Sequence, residues 1–344
     1  MPIKRIKRVL LIVPNVSLVE QMYSDFKEYG WTDEEDSVEL LYSAKKPTFK
    51  KPVLISTWQS LQKLDNDDYF EDVDAVIVDE CHGSKAMVIN TILKKCKNSE
   101  YRIGTTGTLP TGAADLLNIT AVLGSVLYTI TSKELIDRGI LTKMIVAGIF
   151  AKYPPEFIQK NKGRAYPEEV RLVESYPGRT AVLSTIFAHT PKEHNVLLLC
   201  NHLDHVKTTA QWITDNYPDR TVKVISGSVN AAEREDIRQK LESEEGTVIV
   251  ATYGTCSTGI NMPKLHEVIL YANSKSKIKV LQSLGRGLRK HNTKNRVILY
   301  DIIDDMSYNT KHRVIRNYLY EHWKEREKYY LEQEFPVKTM TLGV

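Results

Sequence analysis

Cysteine is scarce and scattered in this chain: Cys81, Cys96, Cys200 and Cys256 are the only four, and no two are spaced as Cys-x-x-Cys. That spacing argues against a zinc site and a disulfide framework, and points to a reducing compartment. Long apolar runs are missing as well. No stretch approaches the ~20 residues of a membrane-spanning helix, and the apolar residues 10–13 are too few for a signal-peptide core. The expected location is therefore the cytoplasm. Charge of one sign is in slight excess only: the formal net charge of +4 permits a local basic face and does not demand one. At 42% hydrophobic and 26% charged, the composition is that of a folded globular chain, and 344 residues suffice for about two domains.

Apolar segments at 8–13, 52–56, 75–78 and 102–106 read as strands. After the turn Pro14-Asn15-Val16-Ser17, a helix is expected to about residue 29, with Leu18, Met22 and Phe26 on one face. Strands alternating with helices predict a parallel sheet covered on both sides. Between about 153 and 177, Pro, Lys, Glu and Tyr crowd together, which predicts a linker or surface excursion. A second series of strands follows at 195–200, 221–225, 247–251, 267–271 and 296–301, with helices at 202–216, 231–242 and 278–290. The fold class is thus α/β, two tandem parallel-sheet domains, with the boundary expected at 145/146. The tail, 311–333, reads as a charged helix carrying Tyr318, Tyr320, Trp323, Tyr329 and Tyr330, expected to pack on the second domain.

Several segments carry chemistry. Asp79-Glu80-Cys81-His82 ends the apolar run Ala75-Val76-Ile77-Val78, so a buried strand delivers two carboxylates to its C-terminal edge, where open parallel sheets bind ligands. One carboxylate can hold a divalent metal while its neighbour orients a water, the chemistry of nucleoside triphosphate hydrolysis. Gln282, Arg286 and Arg289 share one helix face, and Gly285 and Gly287 leave room for a polyanion. The stretch from Thr252 to Pro263, and Thr106-Gly107-Thr108, offer small donors after strands. Each segment alone also reads as a solvated helix start, a basic face or a polar turn. His202 and His205 are expected to be surface histidines of a helix rather than ligands.

Taken in order, these segments resemble superfamily 2 helicases, and within them the phage recombination and repair helicases. Pro14 to Gln21 resembles motif Ia, Ser56 to Leu61 motif Ib, and Asp79 to His82 motif II. Thr106 to Thr108 resembles motif III, Leu198 to Asn201 motif IV, Thr252 to Pro263 motif V, and Gln282 to Arg289 motif VI. The resemblance implies two RecA-like domains that use ATP and Mg²⁺. It implies that Asp79 holds the metal, Glu80 polarises the hydrolytic water, and Arg286 and Arg289 act as arginine fingers. His82, Gln282, Gly259 and Asn261 would face the nucleotide, although relatives often carry Asp where this chain has Asn261. Thr106 and Thr108 would couple nucleotide state to DNA, and Pro14, Asn15, Thr57, Gln59, Asn201 and Thr252 would contact the strand, largely through phosphates. The implied partner is single-stranded or branched DNA, or RNA in hybrids, and the implied location is the host cytoplasm if the chain is phage-encoded.

One element of the family pattern is missing. No Gly-Lys-Ser or Gly-Lys-Thr phosphate loop (Walker A) occurs anywhere in the 344 residues. The expectation is a first domain truncated at its N-terminus: the C-terminal part of a helicase whose phosphate loop comes from a separate polypeptide, from a split gene, or is lost. Other readings are a catalytically inactive nucleic-acid-binding remnant and a two-domain nucleotide-sugar transferase. The last would not need Gln282, Arg286 and Arg289 on one helix.

Overall fold

A computed structural model describes residues 6–31, 34–42, 45–65, 67–82, 86–107, 109–110, 112–225, 244–256, 264–272 and 294–344. The chain forms two compact units, Met1–Thr129 and Ile130–Val344. The division falls before the boundary expected at 145/146, because residues from 143 onward already run in register with a strand of the second sheet.

The first unit contains strands β1 (Val9–Val13), β2 (Val38–Leu41), β3 (Val53–Thr57), β4 (Ala75–Val78) and β5 (Tyr101–Gly104). Its helices are α1 (Val16–Glu28), α2 (Glu34–Ser37), α3 (Trp58–Gln62), α4 (Asp67–Glu71), α5 (Ala86–Lys95) and α6 (Ala113–Leu123). The sheet order is β2-β3-β1-β4-β5, and every pairing is parallel. Alternation along the strands builds two cores. Leu10, Ile12, Leu54, Val76 and Val78 pack with Phe70, Ile92 and Leu93 on one face. Leu11, Val13, Val53 and Ile55 pack with Val19 of α1 on the other. Asn15 starts α1 as its N-cap, its side-chain oxygen accepting from Leu18 N at 2.9 Å. At the edge, all four residues of β5 are exposed.

The second unit contains β6 (Lys143–Lys152), β7 (Val196–Cys200), β8 (Thr221–Ile225), β9 (Thr247–Thr252), β10 (Glu267–Leu270), β11 (Arg296–Asp305), the two-residue strands β12 (Tyr308–Asn309) and β13 (Val314–Ile315), and β14 (Val337–Gly343). Its helices are α7 (Ser132–Asp137), α8 (Pro155–Asn161), α9 (Tyr166–Glu174), α10 (Thr180–His189), α11 (Leu203–Asn216), α12 (Tyr253–Cys256) and α13 (Tyr318–Glu332). Seven strands in the order β14-β6-β11-β10-β7-β9-β8 form one parallel sheet.

The linker expected at 153–177 is instead α8 and α9 followed by a turn of 3-10 helix at Pro177–Arg179. Tyr153, Val170 and Val173 enter the core. Arg179 is buried and donates to Asp304 through Nε at 2.8 Å, and Tyr153 donates to the same carboxylate at 2.7 Å. The tail helix is shorter than expected, because β12 and β13 form a hairpin over 308–315 before α13 begins. Its packing follows the expectation. Trp323 and Tyr330 are fully buried, Arg326 donates to both oxygens of Asp301 at 2.8 Å, and Tyr330 donates to Asp301 at 2.7 Å. The helices expected at 231–242 and 278–290 lie outside the described residues.

Candidate nucleotide and nucleic-acid site

The four sheet ends that matter in the first unit lie side by side. Register places Val13 opposite Thr57, Ile12 opposite Val78, and Val78 opposite Gly104. The residues that leave these strands therefore line one C-terminal edge in the order Thr57, Pro14, Asp79, Thr105. Backbone bonds lock the turn after β4: Asp79 N donates to Ile12 O at 2.9 Å, Thr105 N to Val78 O at 2.9 Å, and Cys81 N to Thr105 O at 3.0 Å. Glu80, between two bonded amides, has φ of 51°. A left-handed conformation costs a non-glycine residue roughly 1 kcal/mol, which the flanking bonds must hold in place.

This turn sets the two carboxylates apart in role. Asp79 Oδ1 accepts from Thr105 Oγ1 at 2.8 Å and stays partly exposed. Glu80 Oε2 is buried without a hydrogen bond among the described residues, and lies 3.1 Å from His82 Nδ1. The same Nδ1 is 2.7 Å from Thr106 Oγ1. The ends of β4 and β5 thus join twice, through Asp79 with Thr105 and through His82 with Thr106. Cys81 points the other way, into the core; burial, reinforced by the charges of Glu80 and Asp79, pushes its thiol above the ordinary value and leaves it a packing residue. Thr105 was not singled out from sequence, although its place beside Thr106 on a strand end could have suggested it.

Asp79 and Glu80 present the hard oxygen donors that Mg²⁺ prefers, and such a metal is commonly held by one or two carboxylates plus substrate phosphates. Among the described residues no group of three or more metal-binding side chains converges.

The residues expected to touch a strand divide into two kinds. Gln59 is exposed, and its amide donates to Pro14 O at 3.3 Å, joining the β1 and β3 ends. Asn15 and Thr57 are helix caps: Thr57 is buried and accepts from Ser60 N at 3.3 Å. Their side chains hold helix starts whose backbone amides face the same edge, a geometry that receives phosphate oxygens. In the second unit, register pairs Cys200 with Thr252, so Asn201 and Thr252 sit together at the C-terminal edge of β7 and β9.

His202 and His205 correct the expectation of surface histidines. His202 sits at the N-cap position of α11 with Nδ1 2.8 Å from Glu174 Oε2. His205 is buried, 3.5 Å from Glu174 Oε1, against the ring of Tyr271. Asn201 Nδ2 also reaches Glu174 Oε1, at 3.5 Å. Burial pushes the Glu174 carboxyl up, but His205 and His202 outweigh it and hold the group below its ordinary value. Glu174 could not be found from sequence, since it lies in the segment read as a linker. Thr108, Gly259, Asn261, Gln282, Arg286 and Arg289 lie outside the described residues.

Two parallel α/β units, the first ending its β4 strand in an acid pair tied to the next strand end, match known families. The model of the family "Type III restriction enzyme, res subunit" matches residues 2–111, and that of the family "Helicase conserved C-terminal domain" matches residues 178–291. The chain belongs to the superfamily 2 helicases. It is 31% identical over 347 residues to the ATP-dependent DNA helicase UvsW of Enterobacteria phage T4, spanning 98% of this chain and 68% of that protein. The crystal structure of T4 UvsW superposes with a TM-score of 0.51 at 29% identity, over 98% of this chain and 68% of that one. A fragment of a putative HsdR subunit of a type I restriction enzyme from Vibrio vulnificus YJ016 shares the fold, with a TM-score of 0.68 at 16% identity over 98% and 58% of the two chains. Among the described residues no helix is long and apolar enough to cross a membrane.

Proposed function

We propose that this chain is the motor portion of an ATP-dependent DNA helicase or translocase of the T4 UvsW kind. Its work would be the processing of branched DNA in recombination, repair or at replication forks. The observation that carries this reading is the tie between strand ends: Asp79 to Thr105 at 2.8 Å, and His82 to Thr106 at 2.7 Å, beside a buried Glu80 oxygen. Asp79 is the residue suited to hold Mg²⁺. The metal, when bound, neutralises charge on the transferring phosphate. Glu80 orients the attacking water, with His82 holding its carboxylate. His82 passes any displacement of Glu80 to Thr106 and hence to the segment after β5. The edge formed by Pro14, Gln59 and the α1 and α3 starts takes the DNA backbone without reading sequence, as translocation needs. Arg286 and Arg289 enter this reading through the family resemblance.

A Gly-Lys-Ser/Thr phosphate loop is not among these residues, so the reading includes a phosphate-binding segment from outside them. The test measures hydrolysis and DNA binding by the purified 344-residue chain. Expected are salt-dependent binding to single-stranded and forked DNA and little hydrolysis until a complementing segment is added. Strong DNA-stimulated hydrolysis by these residues alone, lost in Glu80→Gln, would overturn the need for that segment. Binding that never yields hydrolysis would favour a remnant that holds DNA without turnover. No binding at all would remove the motor reading.

A further inference from the structure

Between β11 and α13 the chain stands off the second unit as a two-stranded hairpin, β12 to β13, in which residues 309–314 are all exposed. Two short strands alone are marginal in water, and this pair is clasped at both ends. At the tip, Thr310 N donates to Arg313 O at 2.9 Å and the Thr310 hydroxyl donates to the same carbonyl at 2.8 Å. Arg313 N in turn donates to that hydroxyl at 3.2 Å. At the base, Met306 N donates to Asn317 Oδ1 at 3.1 Å, and Asn317 Nδ2 donates to Asp304 O at 2.9 Å. The turn that presents Lys311 and His312 is thereby fixed.

The clasped turn carries charge of one sign. Lys311, Arg313 and Arg316 are exposed, and among the described residues none of them has a carboxylate partner. By contrast Arg171, Lys192 and Lys328, also exposed, are matched by Asp204, Asp219 and Glu325. The Tyr320 ring steadies Arg316, its centre 4.3 Å from the guanidinium carbon. Lys162 adds a further cation at the flank, its Nζ 5.8 Å from the centre of the Tyr308 ring. Like charges held together repel, and ordering their long side chains costs entropy. A bound polyanion offsets both.

Register sets the height of this turn. Leu199 of β7 and Asp301 of β11 both pair with Leu270, and Cys200 pairs with Thr252, so Ile302 is level with the ends of β7 and β9. β11 continues to Asp305, still paired with β6, roughly 10 Å past that level at ~3.3 Å per residue. The hairpin therefore starts beyond the edge that carries Asn201 and Thr252. We propose that the Lys311–Arg313 turn, with Arg316 and Lys162 at its flanks, grips the phosphate backbone of a duplex arm adjoining the strand that the motor holds. A strand lying on Asn201 and Thr252 stays at the edge. A tip held beyond it meets the thicker arm, whose two backbones together carry one charge per ~1.7 Å of axis. This assignment rests on the motor reading for the choice of DNA over another polyanion, and on the hairpin alone for its place and charge.

The test is fluorescence anisotropy of the intact 344-residue chain with three DNA probes of one sequence: a single strand, a blunt duplex and a fork. Lys311→Ala with Arg313→Ala should weaken duplex and fork binding tenfold or more at about 0.1 M salt, and leave the single strand within twofold. On duplex and fork the slope of log affinity against log salt should become shallower by about 1.8, at 0.9 per phosphate contact. Lys311→Arg with Arg313→Lys should keep the parent's affinities and slope. Lys192→Ala with Lys328→Ala, which removes two exposed cations elsewhere on the unit, should change binding to none of the probes. All four positions are exposed, so the urea midpoint should not move. A Lys311→Ala, Arg313→Ala variant that binds duplex and fork like its parent overturns the proposal and leaves the motor reading standing. Equal losses on all three probes also overturn it, by placing the hairpin on the strand path. Equal losses in the Lys192→Ala, Lys328→Ala variant overturn it by reducing the effect to net charge. Selective loss of duplex binding in a chain that never hydrolyses ATP, even with a phosphate-binding segment supplied, upholds the hairpin's role and overturns the motor reading. A parent that binds no probe removes both.

Discussion

His82 Nδ1 lies 2.7 Å from Thr106 Oγ1 and 3.1 Å from Glu80 Oε2, so one imidazole nitrogen spans the ends of two neighbouring strands. Removing the threonine hydroxyl while keeping its shape separates coupling from folding. Thr106→Val in the complemented enzyme should lower DNA-stimulated hydrolysis about tenfold, equivalent to about 1.4 kcal/mol, with single-strand affinity within twofold of the parent. A parallel loss of affinity and of thermal stability would assign Thr106 a structural part only.

Gly104 is required by close approach rather than by backbone conformation. An added methyl would sit 2.6 Å from Leu123 Cδ1. Gly104→Ala should therefore destabilise the first unit by about 1–3 kcal/mol, read as a lower urea midpoint. Adding Leu123→Ala should restore part of the loss, because the clash is with the end of one side chain.

The second unit depends on a buried ion pair at α13. Arg326 makes two 2.8 Å bonds to Asp301, which also accepts from Tyr330. Arg326→Leu strands a buried carboxylate and should cost about 3–5 kcal/mol. The double variant Arg326→Leu with Asp301→Leu should recover much of this. If both variants unfold alike, the pair contributes through packing and not through charge.

Lys294 is buried, donates to Leu265 O at 3.1 Å, and has its pKa lowered by burial to about 8 from an ordinary 10.5. Between these values the unfolded chain binds more protons than the folded one, so this group makes stability rise with pH. Its penalty is complete below about 8 and fades toward 10.5. Lys294→Met should stabilise the second unit at pH 7 by about 1–3 kcal/mol. The difference from the parent should shrink steadily to pH 10. A constant difference across that range would mean that Lys294 does not titrate as burial dictates.

Much of this architecture was legible because the physics is local. The runs at β1, β3, β4, β7, β9 and β11 are apolar and bounded by turn residues, and they fold as read. Asp79, Glu80 and His82 were legible for the same reason, since a strand that stops on acids places them at its end. Besides the short β12 and β13, three strands of the two main sheets were not anticipated. β2 carries a buried Glu39, whose charge hides a strand pattern; its carboxylate is satisfied by Thr48 and by the amides of Phe49, Lys50 and Lys51. β14 is polar and mostly exposed, and takes its shape from pairing with β6. β6 itself is free of charge between its two terminal lysines and could have been read as a strand. The helices α8 and α9 were hidden by Pro and charge, because the burial of Val170 and Val173 depends on distant partners. Glu174 was illegible for the same reason: its meaning comes from two histidines on another helix.

The position of β14 fixes an order of events during synthesis. This strand lies beside β6, the earliest strand of its sheet, and Val344 N bonds back to Lys152 O. The first unit has all five of its strands by residue 104, so it can collapse while the ribosome is still at work. The second gains its edge strand β14 only when residues 337–343 have cleared the exit tunnel. Nascent chains stalled a few codons before that point should hold β6 with an open edge, seen as faster amide exchange there.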